Sequence, residues 1–286
     1  VAYEAKVIAD SISEAGDRLT TLEVTFPRIV LDQMTKHRML SYNTSSTRAI
    51  PVEKMIRRVE EDPFIPIHWG QNQKGMVSDR EMAPAEIQES KYSWLLARDL
   101  AVGQAKALVA YGAHKQIANH VLNPYAWSTC IVSGTEWSNF FALRTDPAAQ
   151  PEIRKIAEMM KEVYLASDPN LLMAGEWHLP YLEEDWKDRY SLDVAKMAST
   201  ARCARVSYLN QDKEINVQSD ITLYERLVSG GHLSPLEHVA TPVGQEMKLV
   251  GPGWNEYFSP MIGNFKGWKQ LRKFIPNEDD FGKVSK

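Results

Sequence analysis

Residues 36–48 read KHRMLSYNTSSTR. Lys36, His37, Arg38, Ser41, Asn43, Ser46 and Arg48 crowd cations, an imidazole, hydroxyls and an amide into one short run that no apolar period explains. An Arg fork and nearby hydroxyls are the donors that a phosphate or a carboxylate needs. The same composition also suits a solvated loop, so composition alone leaves both readings open. A second stretch, WSNFFALRTD (137–146), puts Asn139 and Leu143 on one helix face with Arg144 next in line. Burial of Phe140 and Phe141 would fix the directions of Asn139 and Arg144. Its plain reading is a surface Arg at a helix C-terminus, where the dipole favours a cation. A third stretch, GGHLSPLEH (230–238), holds His232, Ser234, Glu237 and His238. The spacing is not HExxH and Pro235 breaks a helical presentation, so no metal site is expected. Ser234-Pro235-x-Glu237 reads instead as a capping box with Pro at the first helical position.

These residues need elements to hold them. Residues 3–26 read as a β-hairpin turning at EAGDR. Pro27 opens a helix with Ile29, Val30, Met34 and His37 on one face, so the 36–48 stretch would start on a last helical turn and run into a loop. Residues 61–84 carry prolines and glycines without a period and read as a long functional or contact loop. Helices are expected over 85–111, about 114–122, from Ser133 or Thr135 to about 146, from Pro151, over SLDVAKMASTARCARVS, and over SDITLYERLVSGGH. In the last, Ser219 is the expected N-cap and Gly230 the C-cap. The helix from Pro151 has Ile153, Ile156, Ala157, Met160 and Val163 on one face. A strand is expected around 240–250, and the tail beyond reads as irregular. Strands at both ends with helices between give a mixed α/β domain.

The 286 residues suffice for a large core, and a net charge of −4 with pI near 6.0 gives no global pull on nucleic acid or an anionic membrane. An anionic ligand would need a local cluster. Cys130 and Cys203 suit a reducing compartment, and no apolar run or leader pattern appears, so a soluble cytoplasmic protein is the expectation. No GxGxxG, Walker loop, CxxC or GxSxG occurs.

Taken together, the stretches resemble the flavin-dependent thymidylate synthases. KHRMLSYNTSSTR matches that family's Arg-His-Arg motif and the Ser/Asn/Arg run behind it. NFFALRTDPAAQPEI matches Asn-Phe-Leu-x-Leu-Arg and Ala-Gln-x-Glu-Ile. CARVSY matches Ala-Arg-Val-Ser, and HLSPLEH matches His-x-Thr/Ser-Pro-x-Glu-His. Residues 58–90 and the tail after about 250 lie outside the resemblance and read as a loop insertion and an irregular tail in a single domain. In the family the last two motifs precede the Arg-His-Arg helix; here they follow it, as a circular permutation would produce. On that account the segments after 238 and before 27 should lie side by side.

The resemblance implies an α/β (α+β) fold with a mostly antiparallel sheet flanked by helices. It implies a homotetramer with shared sites for FAD and nucleotide, with NADPH and methylenetetrahydrofolate as co-substrates. The implied reaction transfers a one-carbon unit to C5 of dUMP. It assigns flavin contacts to His37, Arg38, Asn43, Asn139 and Ser234. Gln33 and Lys36 meet nucleotide or flavin. Thr44, Ser45, Ser46 and Arg48 fall in the nucleotide-binding run, with Ser46 and Arg48 at the phosphate. Arg144 faces and polarises the pyrimidine, and Ser46 acts as a hydrogen-bond donor rather than a nucleophile. Lys36 replaces the first motif Arg, Thr44 a Glu and Ala148 a His. A further expected Arg is His120, or Asn119 if the alignment shifts by one. These departures keep open a hydroxymethyltransferase acting on dUMP or dCMP, and a non-catalytic flavin- or nucleotide-binding homologue. A nucleic-acid substrate is disfavoured by the charge.

Overall fold

The computed structural model describes residues 3–206, 216–244 and 263–280. Alternating apolar residues build the centre. β1 (Glu4–Ser13) and β2 (Arg18–Pro27) form the expected antiparallel hairpin, and β2 pairs antiparallel with β4 (Trp127–Gly134). β3 (Leu40–Thr44) pairs antiparallel with the outer side of β4, and β5 (Asn170–Leu172) adds parallel to β1. The five-stranded order is β3-β4-β2-β1-β5, so the sheet is mostly antiparallel. β6 (Ala240–Pro242) and β7 (Trp268–Gln270) form a separate antiparallel pair.

The period of two sorts the sheet into two faces. Leu22, Val24, Phe26, Cys130 and Val132 point to one side and pack on α5 (Ser138–Arg144) and α6 (Pro151–Ala166). There Ile153, Ile156, Ala157 and Met160 are wholly buried and Val163 partly so, as their spacing requires. Thr21, Glu23, Ile131 and Ser133 point to the other side. That side is covered by α8 (Leu192–Arg205) and by residues 178–181, 234–241 and 264–271. α9 (Val217–Ser229) packs on α8, where buried Asp220 accepts from Arg202 Nε at 3.1 Å and Arg205 Nη2 at 2.8 Å. Arg205 of the CARVSY stretch is thus a clamp between helices; Ser207 lies outside the described residues.

A satellite core joins α2 (Val52–Glu61), α3 (Pro84–Ala110) and the 3-10 turns of 119–125 through Met55, Val59, Val102, Ala105 and Leu122. Short helices α1 (Leu31–Met34), α4 (Lys115–Ala118) and α7 (Trp186–Arg189) complete the set described.

Several local expectations are corrected. The loop after His37 is largely strand β3, because Leu40 and Tyr42 join the core on one side while Ser41 and Asn43 are bonded on the other. The helix expected from Pro27 is a 3-10 turn, Arg28–Val30, followed by α1, and it ends before His37. Ser133 is a strand residue, and α5 begins only at Ser138 after Trp137. The 114–122 helix is α4 followed by 3-10 turns, with Pro124 among them. Asn216, not Ser219, caps α9, since its side chain accepts from Ser219 N, while Gly230 is the C-cap. No capping box forms at Ser234; residues Ser234–His238 are 3-10 and Glu237 bonds elsewhere. Within the expected 58–90 insertion, α2 reaches Glu61 and α3 begins at Pro84, so 62–83 is the stretch without a named element; Gly70 and Glu81 bridge across it. Of the 240–250 strand, 240–242 is observed and 245–250 lies outside the described residues. The chain beyond 238 does pack near the first hairpin, with Ala240 and Trp268 against Leu19, but it joins β7 rather than β2. No described helix is long and apolar enough to cross a membrane, and Cys130 and Cys203 are free and buried.

Candidate functional site

Arg144 is the last residue of α5, and that helix is locked by Phe140 and Phe141, both buried under the sheet. Its guanidinium is therefore carried to a set place. Nε donates to His37 Nε2 at 2.9 Å and Nη2 to the Gln33 carbonyl at 3.2 Å. The His37 ring meets Phe140 edge-on, 5.0 Å between centroids. Accepting through Nε2 leaves the imidazole proton on Nδ1. Burial, and then the Arg144 charge, hold the His37 pKa below its ordinary value, so the ring is neutral. The Gln33 amide donates to Gln150 Oε1 at 2.6 Å, and Gln150 donates to buried Glu152 Oε2 at 2.9 Å. Sequence reasoning assigned no role to Gln150 or Glu152; the Ala-Gln-x-Glu-Ile match contained both.

Beside this group lies a cleft of about 520 Å³ lined by His37, Arg38, Ser41, Ser234, Glu237 and Arg272, among others. Ser41 donates to Glu237 Oε2 at 2.7 Å, and Arg272 Nη1 holds Glu237 Oε1 at 2.6 Å. Glu237 is thus spent on structure. The Arg38 guanidinium and the Ser234 hydroxyl make no hydrogen bond or ion pair among the described residues, and both are exposed. Among those residues, no group of three His, Cys, Asp or Glu is arranged to hold a metal.

The structure gathers Gln33, His37, Arg38, Arg144 and Ser234 at one end of β3. It does not gather the others. Lys36 lies exposed, 3.5 Å from Asp32. Asn43 donates to the Cys203 carbonyl at 2.7 Å on the far face of the sheet. Ser45 Oγ accepts from Thr129 N at 3.2 Å. Thr44 ends β3, and Ser46 and Arg48 follow in the next turn, with Arg48 exposed. Roughly 13 Å of extended strand separates that turn from His37. His120 is exposed, whereas Asn119 is buried and donates to the carbonyls of Thr47 at 2.8 Å and Ile50 at 2.9 Å. Asn139 is exposed, and its five-residue offset turns it about 140° around α5 from Arg144.

Residues 18–170 match the family described as thymidylate synthase complementing protein. A flavin-dependent thymidylate synthase of Synechocystis sp. is 25% identical over 167 residues, covering 55% of this chain and 71% of the relative. Two solved structures are similar at lower levels. The UMP/dUMP methylase PolB of Streptomyces cacaoi, bound with 5-Br UMP, is 17% identical with a TM-score of 0.49, covering 58% of this chain and 89% of that one. Thymidylate Synthase X of Helicobacter pylori, with FAD and dUMP, is 13% identical with a TM-score of 0.37, covering 51% and 67%. Because the family match spans more than half of the sequence, and with it β2, β3, β4 and the His37–Arg144 pair, this chain belongs to the thymidylate synthase complementing protein family, enzymes of the methyltransferase type.

Proposed function

We propose that the protein is an FAD-dependent one-carbon transferase acting at C5 of a deoxypyrimidine monophosphate, most simply converting dUMP to dTMP. Methylenetetrahydrofolate would donate the carbon and NADPH the reducing equivalents. The observation that carries this reading is the His37–Arg144 pair. With Nε and Nη2 committed to His37 and Gln33, Arg144 keeps Nη1 for a ligand. A fixed guanidinium aimed at the N3–C2–O2 edge of a uracil stabilises negative charge there and raises electron density at C5. Neutral His37 keeps the pair attractive, since an imidazolium would repel the Arg. Ser46 and Arg48 supply the hydroxyl and fork that suit a phosphate.

The donor set of the cleft also fits a flavin. Arg38 and the Ser234 hydroxyl are uncommitted, with His37 beside them, which suits the oxygen- and nitrogen-edged ring and the phosphates of FAD. Bound there, FAD would supply the two-electron redox step. The distance along β3 between Arg144 and the Ser46–Arg48 turn supports a homotetramer in which one subunit's turn completes another's pocket. The contact between Ser41 and Glu237 supports the permuted reading, because it sets the SPLEH stretch against the KHRMLS stretch across 196 positions of chain.

The test is product analysis with dUMP, methylenetetrahydrofolate, FAD and NADPH. dTMP formation that requires all four supports the proposal. A 5-hydroxymethyl product formed without NADPH would replace it with a hydroxymethyltransferase. Lys36→Arg and Thr44→Glu probe that alternative, since they restore the family residues; an unchanged product, rate and nucleotide affinity in both would make the departures neutral. Absence of any turnover, with flavin and dUMP still bound, would leave a non-catalytic homologue.

A further inference from the structure

The tail of the chain brings to the His37–Arg38 cleft a residue that no sequence motif assigns. β7 pairs with β6, which begins two residues after His238, so the 3-10 turn Leu271–Phe274 is laid against Ser234–His238. Leu271 N donates to the Val239 carbonyl at 2.7 Å. The buried Gln270 amide donates to the Glu237 carbonyl at 3.2 Å and to Asn264 Oδ1 at 2.9 Å, and Asn264 Nδ2 donates in turn to Ser41 Oγ at 3.1 Å. These bonds run from the tail to β3 and place Arg272 so that its fork spans two carboxylates. Nη1 donates to Glu237 Oε1 at 2.6 Å and Nε to Glu278 Oε2 at 2.8 Å. Arg272 lies beyond residues 18–170 of the family match.

Among the described residues, the charged side chains lining the cleft are Arg38, Glu237, Arg272 and Lys273, beside neutral His37. Lys273 Nζ lies 2.5 Å from Glu278 Oε1, and Glu278 sits behind the lining with its side chain almost wholly buried. Burial pushes the Glu278 carboxyl up, but the hydrogen bonds and charges of Lys273 and Arg272 outweigh it and hold its pKa below the usual value, so Glu278 is ionised. Lys273 thus answers Glu278, Arg272 answers Glu237, and Arg38 is the cation in surplus. The Ser41 hydroxyl satisfies one oxygen of Glu237 but leaves its charge. Without Arg272, the wall of the cleft would present an unneutralised carboxylate to any anion that enters. In a partly dehydrated space that repulsion is stronger than in bulk water.

We propose that Arg272 is a charge-balancing residue of this cleft, cancelling the Glu237 carboxylate so that the cleft keeps a net positive field for the anionic pyrophosphate of FAD. This role rests on the flavin reading of the cleft and adds to it a residue from outside the family match. FAD binding is measured by flavin fluorescence titration of the intact protein as wild type, Arg272→Gln, Glu237→Gln and the double variant. Glu237→Gln removes the charge and keeps an amide oxygen for Ser41 and Arg272. Charge balance sets the expected order: Arg272→Gln binds FAD about tenfold more weakly, Glu237→Gln about threefold more tightly, and the double variant like wild type. A brace that only holds the fold would give neither the gain in Glu237→Gln nor the rescue in the double variant. The role is overturned if Arg272→Gln binds FAD as tightly as wild type, or if the double variant binds as weakly as Arg272→Gln. Should Arg272→Gln fail to fold, Glu237→Gln decides: tighter binding supports the role, and equal or weaker binding overturns it. Wild type that binds no FAD removes the flavin reading and this role together, whereas wild-type binding shared equally by all variants removes this role alone.

Discussion

Arg144 offers five N–H donors, and two protein acceptors take up one edge of its fork, at His37 and Gln33. A Lys there could not hold both acceptors and still present a planar donor edge to a ring. Arg144→Lys should therefore lower kcat/KM for dUMP by about 10²–10³-fold, the usual effect of losing one preorganised charge-stabilising donor. His37 carries a pH signature. Its folded pKa is depressed, chiefly by burial and then by Arg144, so its contribution to the pair is complete above the unfolded value of about 6.5. That contribution declines as pH falls below 6.5, and imidazole NMR titration should show His37 ionising below the ordinary histidine range. The sequence exposed these residues as donors in unusual density. It did not expose that His37 accepts from Arg144, or that Gln33 is braced by Gln150, because those two bonds cross more than 100 positions of chain.

At the scale of elements, the amphipathic helix from Pro151 was readable, since a 3.6-residue period must bury one face wherever the helix lands. Met160 is fully buried on that face, and Met160→Ala should cost about 2–5 kcal/mol in denaturant unfolding. β3 and β4 were not readable as a pair. WSTCIVSG (127–134) has β-branched residues, but it is buried on both sides and so lacks the clean alternation of a half-exposed strand. The turn before β7 is decided by a contact as well. Gly267 sits at φ +74°, and an added Cβ would come within 2.2 Å of an Asp17 carboxylate oxygen. Gly267→Ala should destabilise by about 1–3 kcal/mol through that backbone conformation alone, measured as a lower denaturation midpoint. Asp17 belongs to the turn of the first hairpin, so this glycine marks where the late chain meets the early chain.

Across the whole molecule, a layer of buried polar groups fastens the C-terminal segments to the sheet. His178 Nδ1 lies 2.8 Å from Ser11 Oγ and its Nε2 2.8 Å from Thr21 Oγ1; Thr21 meets Ser133 at 2.6 Å, and Ser133 meets His238 Nδ1 at 2.8 Å. Burial lowers both imidazoles to about 3; Asp10 opposes the shift at His178, and His178 adds to it at His238. Depressed values mean that this layer is fully stabilising above about pH 6.5 and loses its contribution as pH falls from there towards 3. The melting temperature should drop over that window, and a His178→Gln/His238→Gln double variant should show a flatter dependence, whatever its starting stability.

The chain order of residues by itself determined the hairpin, the helix from Pro151, the chemistry-bearing stretches and their family resemblance. Each of these rests on local periods or on residue types in a short span. That Arg144 closes on His37, and that Glu237 is tied to Ser41 and Arg272, was decided by the folded structure alone. Those outcomes depend on which distant segments share a sheet face. Burial and strand register set that sharing, and neither is written in the spacing of neighbouring residues.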